Sequence, residues 1–219
     1  ELARADRDPL AGSLKLALIP TVGPYLLPHV ARRLKRDLPR LRLLLYEYQT
    51  APLLEKLRAG VIDAGILALP VPLDGLEAEP LYEEPFTVAV PASHPLAERD
   101  RLKLDDLRGE TLLLLEDGHC LRDQALEVCS RIRVQEEQDY RATSLETLRQ
   151  MVASGAGVTL LPELAVPTEA ERFGLAVRRF EDPEPYRTLA YVWRRGAAQA
   201  PAFRELAKLT KHALASASA

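Results

Sequence analysis

Apolar positions along the chain fall into short continuous runs separated by longer stretches of helical period. LKLALI (residues 14–19) is a compact apolar run closed by Pro20, which suits a buried strand. Thr21-Val22-Gly23-Pro24 then reads as a turn. Over residues 25–37, Leu26, Leu27, Val30 and Leu34 recur at helical spacing, and Pro39 closes the run. LRLLLYEY (41–48) predicts a second strand, LLEKLR (53–58) a helix ending at Gly60, and residues 62–67 a third strand. Strand, helix, strand, helix, strand is the order of a parallel sheet covered by helices.

A second series follows. FTVAV (86–90) and TLLLL (111–115) predict strands, residues 104–107 a short helix, and residues 121–130 and 144–154 longer ones. Ser144 is a natural N-cap, but Thr147 stands where a capping box needs Glu or Gln. VTLLP predicts a strand end, residues 189–193 a late strand and 201–214 a closing helix, and the terminal ASASA reads as a frayed tail. Two successive series predict two α/β lobes. Ligands of such sheets favour the crevice beyond the strand carboxyl ends. Thr21, Thr50 and the stretch after TLLLLE all lie there.

Composition narrows the function. Hydrophobic residues make up 47% of the 219 and charged residues 28%, enough for a packed core under a solvated surface. A net charge of −3, with no basic stripe carrying interleaved aromatics, argues against these residues gripping nucleic acid by themselves. No apolar run approaches the roughly 20 residues of a membrane span, and the opening ELARADRDPLAGS has no signal-peptide pattern. The expected location is therefore cytoplasmic, with no membrane partner. A lasting structural disulfide would be unusual there, and a transient redox one is allowed.

Both cysteines of the chain lie in EDGHCLRDQALEVC. Buried and inert is the default reading of such a pair. Cys120, however, follows His119 and opens a predicted helix, and a helix N-terminus favours a thiolate, the reactive form. His119 and Arg122 stand beside it as donors, while Glu116 and Asp117 would oppose a thiolate if they faced the sulfur. In a helix the nine-residue spacing separates Cys120 and Cys129 by about 13 Å and puts them on opposite faces, whereas a disulfide needs Cα atoms within about 7 Å. Helix and disulfide thus exclude each other, and bond formation would convert a redox event into a change of shape. Four histidines and two cysteines without paired spacing make a zinc site a poor fit, and neither a metal nor another cofactor is expected. Thr21, Thr50, His119 and Asp123 are polar residues that could supply a shell around an oxidant at the Cys120 sulfur, but from spacing alone turn or capping duty is the better account of each threonine.

LIPTVGPYLLP, EYQT, DAGILAL, EDGHCLRDQALEVC, RATSLETLRQMVASGAGVTLLPELAVP and PEPYRT together resemble the regulatory domain of LysR-type transcriptional regulators, in particular their hydrogen-peroxide-sensing branch. GHCLRDQ with a second cysteine nine residues after the first is specific to that branch. DAGIL and GVTLLP speak only for the wider family.

The resemblance implies an α/β fold of two Rossmann-like subdomains, periplasmic-binding-protein-like, the type II LysR substrate-binding domain. It implies a first subdomain over residues 12–85 and 187–219 and a second, carrying the cysteines, over 86–186. Residues 1–11 would be the remnant of a linker from an N-terminal winged helix-turn-helix absent from this chain. It further implies that Cys120 is the peroxidatic cysteine, oxidised to a sulfenic acid, and Cys129 the resolving one. Thr21, Thr50, His119 and Asp123 would line the peroxide pocket, and Arg187 would stabilise the thiolate. The implied partners are hydrogen peroxide, further copies of the chain (a homodimer, and a tetramer in the full-length protein), and glutaredoxin or thioredoxin for reduction. Promoter DNA and RNA polymerase would be reached through the parent protein, which activates oxidative-stress genes. SRIRVQEEQDY, after Cys129, is the part of the switch region least like the family.

On this reading the chain is a sensor and not an enzyme. Three other readings remain open on sequence: a LysR-type effector domain that binds a small co-inducer and carries incidental cysteines, a thiol peroxidase, and a periplasmic solute-binding protein.

Overall fold

A computed structural model describes residues 12–130, 132, 134–166, 170 and 174–217. The linker reading of residues 1–11 lies outside them. The chain divides into two compact units, Glu1–Tyr82 with Thr188–Ala219, and Glu83–Arg187. Arg187 is the last residue of the second unit.

In the first unit, β1 (Gly12–Leu18) lies between β2 (Leu41–Glu47) and β3 (Ala64–Leu69), parallel to both. β10 (Tyr186–Arg194) closes on β3 in antiparallel register, pairing Thr188 with Leu69 through Trp193 with Ala64. Helices α1 (Gly23–Asp37) and α2 (Thr50–Arg58) make the crossovers. α1 packs on α5 (Ala200–Ala217), whose Phe203 ring lies 5.7 Å from that of Trp193. Of the four positions that mark α1 in the sequence, Leu26, Val30 and Leu34 form its buried face and Leu27 is half-buried. α5 runs on into the ASASA stretch, to Ala217, so the reading of that stretch as a frayed tail fails there.

The second unit holds β5 (Arg101–Leu102), β6 (Thr111–Leu115), β7 (Gln135–Ala142), β8 (Thr159–Pro162) and β9 (Leu175–Phe180), with the later half of β4 (Leu76–Pro91). β4 pairs antiparallel with β8 and β9, and β6 pairs parallel with β7. α3 (Cys120–Cys129) follows β6, and α4 (Leu145–Ala153) follows β7. Ser144 caps α4, its Oγ accepting from Thr147 N–H at 3.2 Å. The Thr147 hydroxyl meets that same Oγ at 3.1 Å, as an incomplete capping box would have it.

Gly157 shows how tightly β6 is seated. Val158 N–H donates to Thr111 O at 2.9 Å and Leu113 N–H to Val158 O at 2.8 Å. The Thr159 hydroxyl donates to Leu113 O at 2.8 Å. A Cβ on Gly157 would stand 2.5 Å from the Thr111 carbonyl oxygen. That is a clash with backbone, which no side-chain rotamer relieves. Gly157→Ala is therefore expected to destabilise the protein by about 2–3 kcal/mol, seen as a lower urea midpoint with an unchanged slope.

Candidate functional site

The predicted site residues fall into two groups, one in each unit. In the first unit, Thr21 follows β1 and is buried just before α1, and Thr50 follows β2 as the first residue of α2. β1 and β2 are neighbours, so both threonines occupy carboxyl ends of adjacent parallel strands, where helix N-termini turn their free N–H groups outward. Glu47 Oε1 would lie 2.9 Å from a Cβ on Gly23, so a carboxylate already sits over the start of α1. The Thr50 hydroxyl is buried and meets no hydrogen-bond partner among the described residues. A buried hydroxyl left so costs free energy until something pairs with it.

The second unit repeats the arrangement. β6 ends at Leu115, the chain turns through Gly118 at φ +96°, and α3 begins at Cys120. Only glycine takes that φ readily, so the turn is written into EDGHC. His119 occupies the N-cap position without a side-chain cap bond, which leaves the N–H groups of the first turn uncapped from that side. Cys120 is half-buried and Cys129, 2% exposed, closes the helix, both as free thiols. The helix keeps their Cα atoms about 13 Å apart. Burial pushes the Cys129 thiol up to about 11.

His119 is also buried, and burial holds its imidazole below the ordinary histidine range against the opposing pull of Glu116, 4.0 Å from Nε2. It is therefore neutral at pH 7, able to donate from one ring nitrogen and accept at the other. Asp123, one turn beyond Cys120, is exposed in the first turn of α3.

Arg122 was named from sequence only as a neighbour of the thiol. It is the most constrained side chain at this end of α3, with Nε 2.9 Å from Asp117 Oδ1 and Nη2 2.6 Å from Glu136 Oε1. Arg141 completes the ring, 3.1 Å from Asp117 Oδ2 and 3.4 Å from Glu136 Oε1. Asp117, feared from sequence as an opponent of the thiolate, is thus engaged by two guanidinium groups. Glu136 and Arg141 are not singled out by the sequence pattern, because polar QEEQDYRA has no apolar alternation to mark it as a strand.

Arg187 is buried, its Nε donating to Glu84 Oε2 at 2.8 Å, while Glu84 Oε1 accepts from Leu164 N–H at 2.9 Å. Glu84, fully buried, was likewise missed. Among the described residues no cluster of three or more His, Cys, Asp or Glu is placed to hold a metal ion, and no helix is long and apolar enough to cross a membrane.

Two α/β units with the predicted site residues at the carboxyl ends of parallel strands define a class. Residues 7–215 match the model of the LysR substrate binding domain, and the chain belongs to that family. Within it, the chain is 46% identical over 207 residues to the hydrogen peroxide-inducible genes activator of Pectobacterium carotovorum subsp. carotovorum, covering 94% of this chain and 68% of that one. The crystal structure of the reduced form of OxyR is similar to it at TM-score 0.87 and 44% identity. The oxidized form of OxyR is similar at TM-score 0.86 and 45% identity, and each comparison covers 94% of this chain and 98% of the other. The resemblance carried by GHCLRDQ and the flanking motifs is borne out, as is the α/β fold class.

Burial fixes how Cys129 behaves with pH. Its thiol is kept neutral in the folded state, so its contribution to stability is fully present below about pH 9 and is lost as pH rises through about 11. The loss amounts to about 2–3 kcal/mol. Comparing urea stabilities of wild type and Cys129→Ala from pH 8 to 11 should show the gap between them narrowing over that window. Iodoacetamide at pH 7.5 should alkylate Cys120 at least about 100-fold faster than Cys129, and denaturant should abolish the difference.

Proposed function

We propose that this chain is the peroxide-sensing regulatory domain of a LysR-type transcription activator, and that its signal is a Cys120–Cys129 disulfide. One observation carries the reading most directly: two free thiols, one half-buried at the N-terminus of α3 and one buried at its C-terminus, held apart by the helix that joins them. The similarity to a hydrogen peroxide-inducible genes activator and to oxidized and reduced OxyR supports it.

The chemistry runs in two steps. The Cys120 thiolate attacks one peroxide oxygen, the O–O bond breaks, and the leaving hydroxide takes a proton to become water while Cys120 becomes a sulfenic acid. His119, neutral and adjacent, is assigned to donate to the departing oxygen. In the second step the Cys129 thiolate attacks the Cys120 sulfur, a second water leaves, and the disulfide closes. Hydrogen peroxide is reduced by two electrons to two waters, and two thiols become one disulfide.

Cys129 as it sits in α3 is neutral and buried, so it must leave the helix to ionise and attack. That need turns the bond into a conformational signal.

The resemblance assigns Thr21, Thr50 and Asp123 to the peroxide pocket, and the Thr50 hydroxyl, without a partner among the described residues, supports a polar role for that residue. Arg187, oriented by Glu84, is assigned to stabilising the thiolate. The wider roles follow the same reading. Homodimers, and tetramers of the parent protein, rearrange on oxidation in the cytoplasm. The parent then binds promoter DNA and engages RNA polymerase, and glutaredoxin or thioredoxin restores the thiols.

Stoichiometric peroxide followed by disulfide mapping tests the proposal. Wild type should yield the Cys120–Cys129 bond. Cys120→Ser should lose the response altogether, and Cys129→Ser should stop at a dimedone-reactive sulfenic acid. Unlinked, unoxidised Cys120 in wild type would sink the reading in favour of a co-inducer-binding domain, and sustained rapid peroxide turnover with a thiol reductant would mark a peroxidase.

A further inference from the structure

We infer that Arg122 is a positioning residue that latches the N-terminal turn of α3 in the thiol state, and that the carboxylates of Glu136 and Asp117 set how readily the disulfide forms. This deepens the proposed function and rests on its disulfide step.

The argument begins with what the guanidinium joins. Asp117 belongs to the turn before Cys120, Arg122 to the first turn of α3, and Glu136 and Arg141 to β7. One side chain therefore ties both flanks of the reactive cysteine to the neighbouring strand β7. Its side chain is only 9% exposed, and burial works against its charge, an effect that the Glu136 and Asp117 carboxylates more than offset. Breaking such a pair leaves a charge uncompensated in a water-poor place, which costs far more than losing a surface ion pair. Glu136, half-buried, therefore matters more than Asp117, whose side chain is 78% exposed.

The fit is also incomplete. Arg122 Nη1 is buried and meets no acceptor among the described residues. A donor left unpaired is a standing cost to the helical state. The latch is thus firm and releasable, as a switch between two close-lying arrangements requires. To bring Cys120 and Cys129 within bonding range the first turns of α3 must move, and Arg122, two residues from Cys120, moves with them. Asp117 belongs to the turn that leads into α3, whereas Glu136 belongs to β7. The Arg122–Glu136 bond is the one that must break.

The test uses Glu136→Gln, Asp117→Asn and Arg122→Lys, whose ammonium keeps the charge but cannot bridge two carboxylates. Glu163→Gln, which removes an ion pair to Arg179 elsewhere in the same unit, is the control. Three readouts are taken on the 219-residue chain: the equilibrium constant of the disulfide against a glutathione buffer, amide hydrogen exchange over residues 121–125 of the reduced protein, and the rate of sulfenic acid formation in a Cys129→Ser background.

Glu136→Gln is expected to favour the disulfide about tenfold, which for a two-electron couple is a potential about 30 mV more negative. It should speed exchange over 121–125 about tenfold and leave sulfenic acid formation within twofold. Arg122→Lys should act in the same direction, Asp117→Asn more weakly, and Glu163→Gln should change none of the three.

An equilibrium constant and exchange rates within twofold of wild type for Glu136→Gln would overturn the latch. So would a sulfenic acid rate that moves as much as the equilibrium, since the carboxylate would then act on the chemistry of Cys120 itself. If wild type forms no disulfide, the proposed function fails, and the exchange measurement still decides separately whether Glu136 holds α3.

Discussion

α3 holds its two terminal cysteines about 13 Å apart, nearly twice the reach of a disulfide. Much else in the second unit follows from that distance. The helix can be tidy, with Leu121, Ala125 and Cys129 packed inward, and still be the element that has to give way in the proposed disulfide step. What keeps it folded is a short list of interactions: the buried face of ten residues, the Gly118 turn that aims it, and the ionic ring at its first turn. A ten-residue helix is marginal by itself. Its tertiary contacts therefore decide the balance between the two states.

Each unit uses the same elementary device, a parallel strand feeding a helix whose N-terminus faces outward. In the first unit this sets Thr21 and Thr50 on neighbouring strand ends, and in the second it sets Cys120 after β6 and Ser144 after β7. The residues placed there differ because the tasks differ. Ser144 spends its hydroxyl on capping α4, whereas the Thr50 hydroxyl meets no partner among the described residues. His119 takes the cap position of α3 without a side-chain cap bond, and its buried ring lies 4.0 Å from Glu116.

Much of this was legible in the sequence, for identifiable reasons. α1 and α4 announce themselves because burial on one face imposes a period, and β1 and β2 because each is a short apolar run, although the side chains of β2 are half-buried or exposed; the predicted boundaries fall within a few residues of those observed. α2 begins three residues earlier than its apolar period, since Thr50-Ala51-Pro52 is a helix opening with nothing to bury. β7 was missed for a similar reason: its side chains are mostly exposed or ion-paired, so QEEQDYRA carries no apolar alternation. Local pattern also could not reveal partners distant in sequence. Glu84 meets Arg187 across 103 residues, and Glu136 meets Arg122 across 14. The cysteines were legible because their chemistry is local, a spacing that a helix makes incompatible with bonding.

The depth at which Cys129 lies also has a kinetic meaning. On the proposed route the first step is bimolecular and runs faster with more oxidant. The second depends only on how often α3 opens. Dose is registered at one end of the helix and delay is set at the other, so above some oxidant level the response time stops shortening. Past that level a waiting sulfenic acid meets further peroxide and is exposed to irreversible oxidation. The buried thiol is not, and it retains the means to close the bond and rescue its partner.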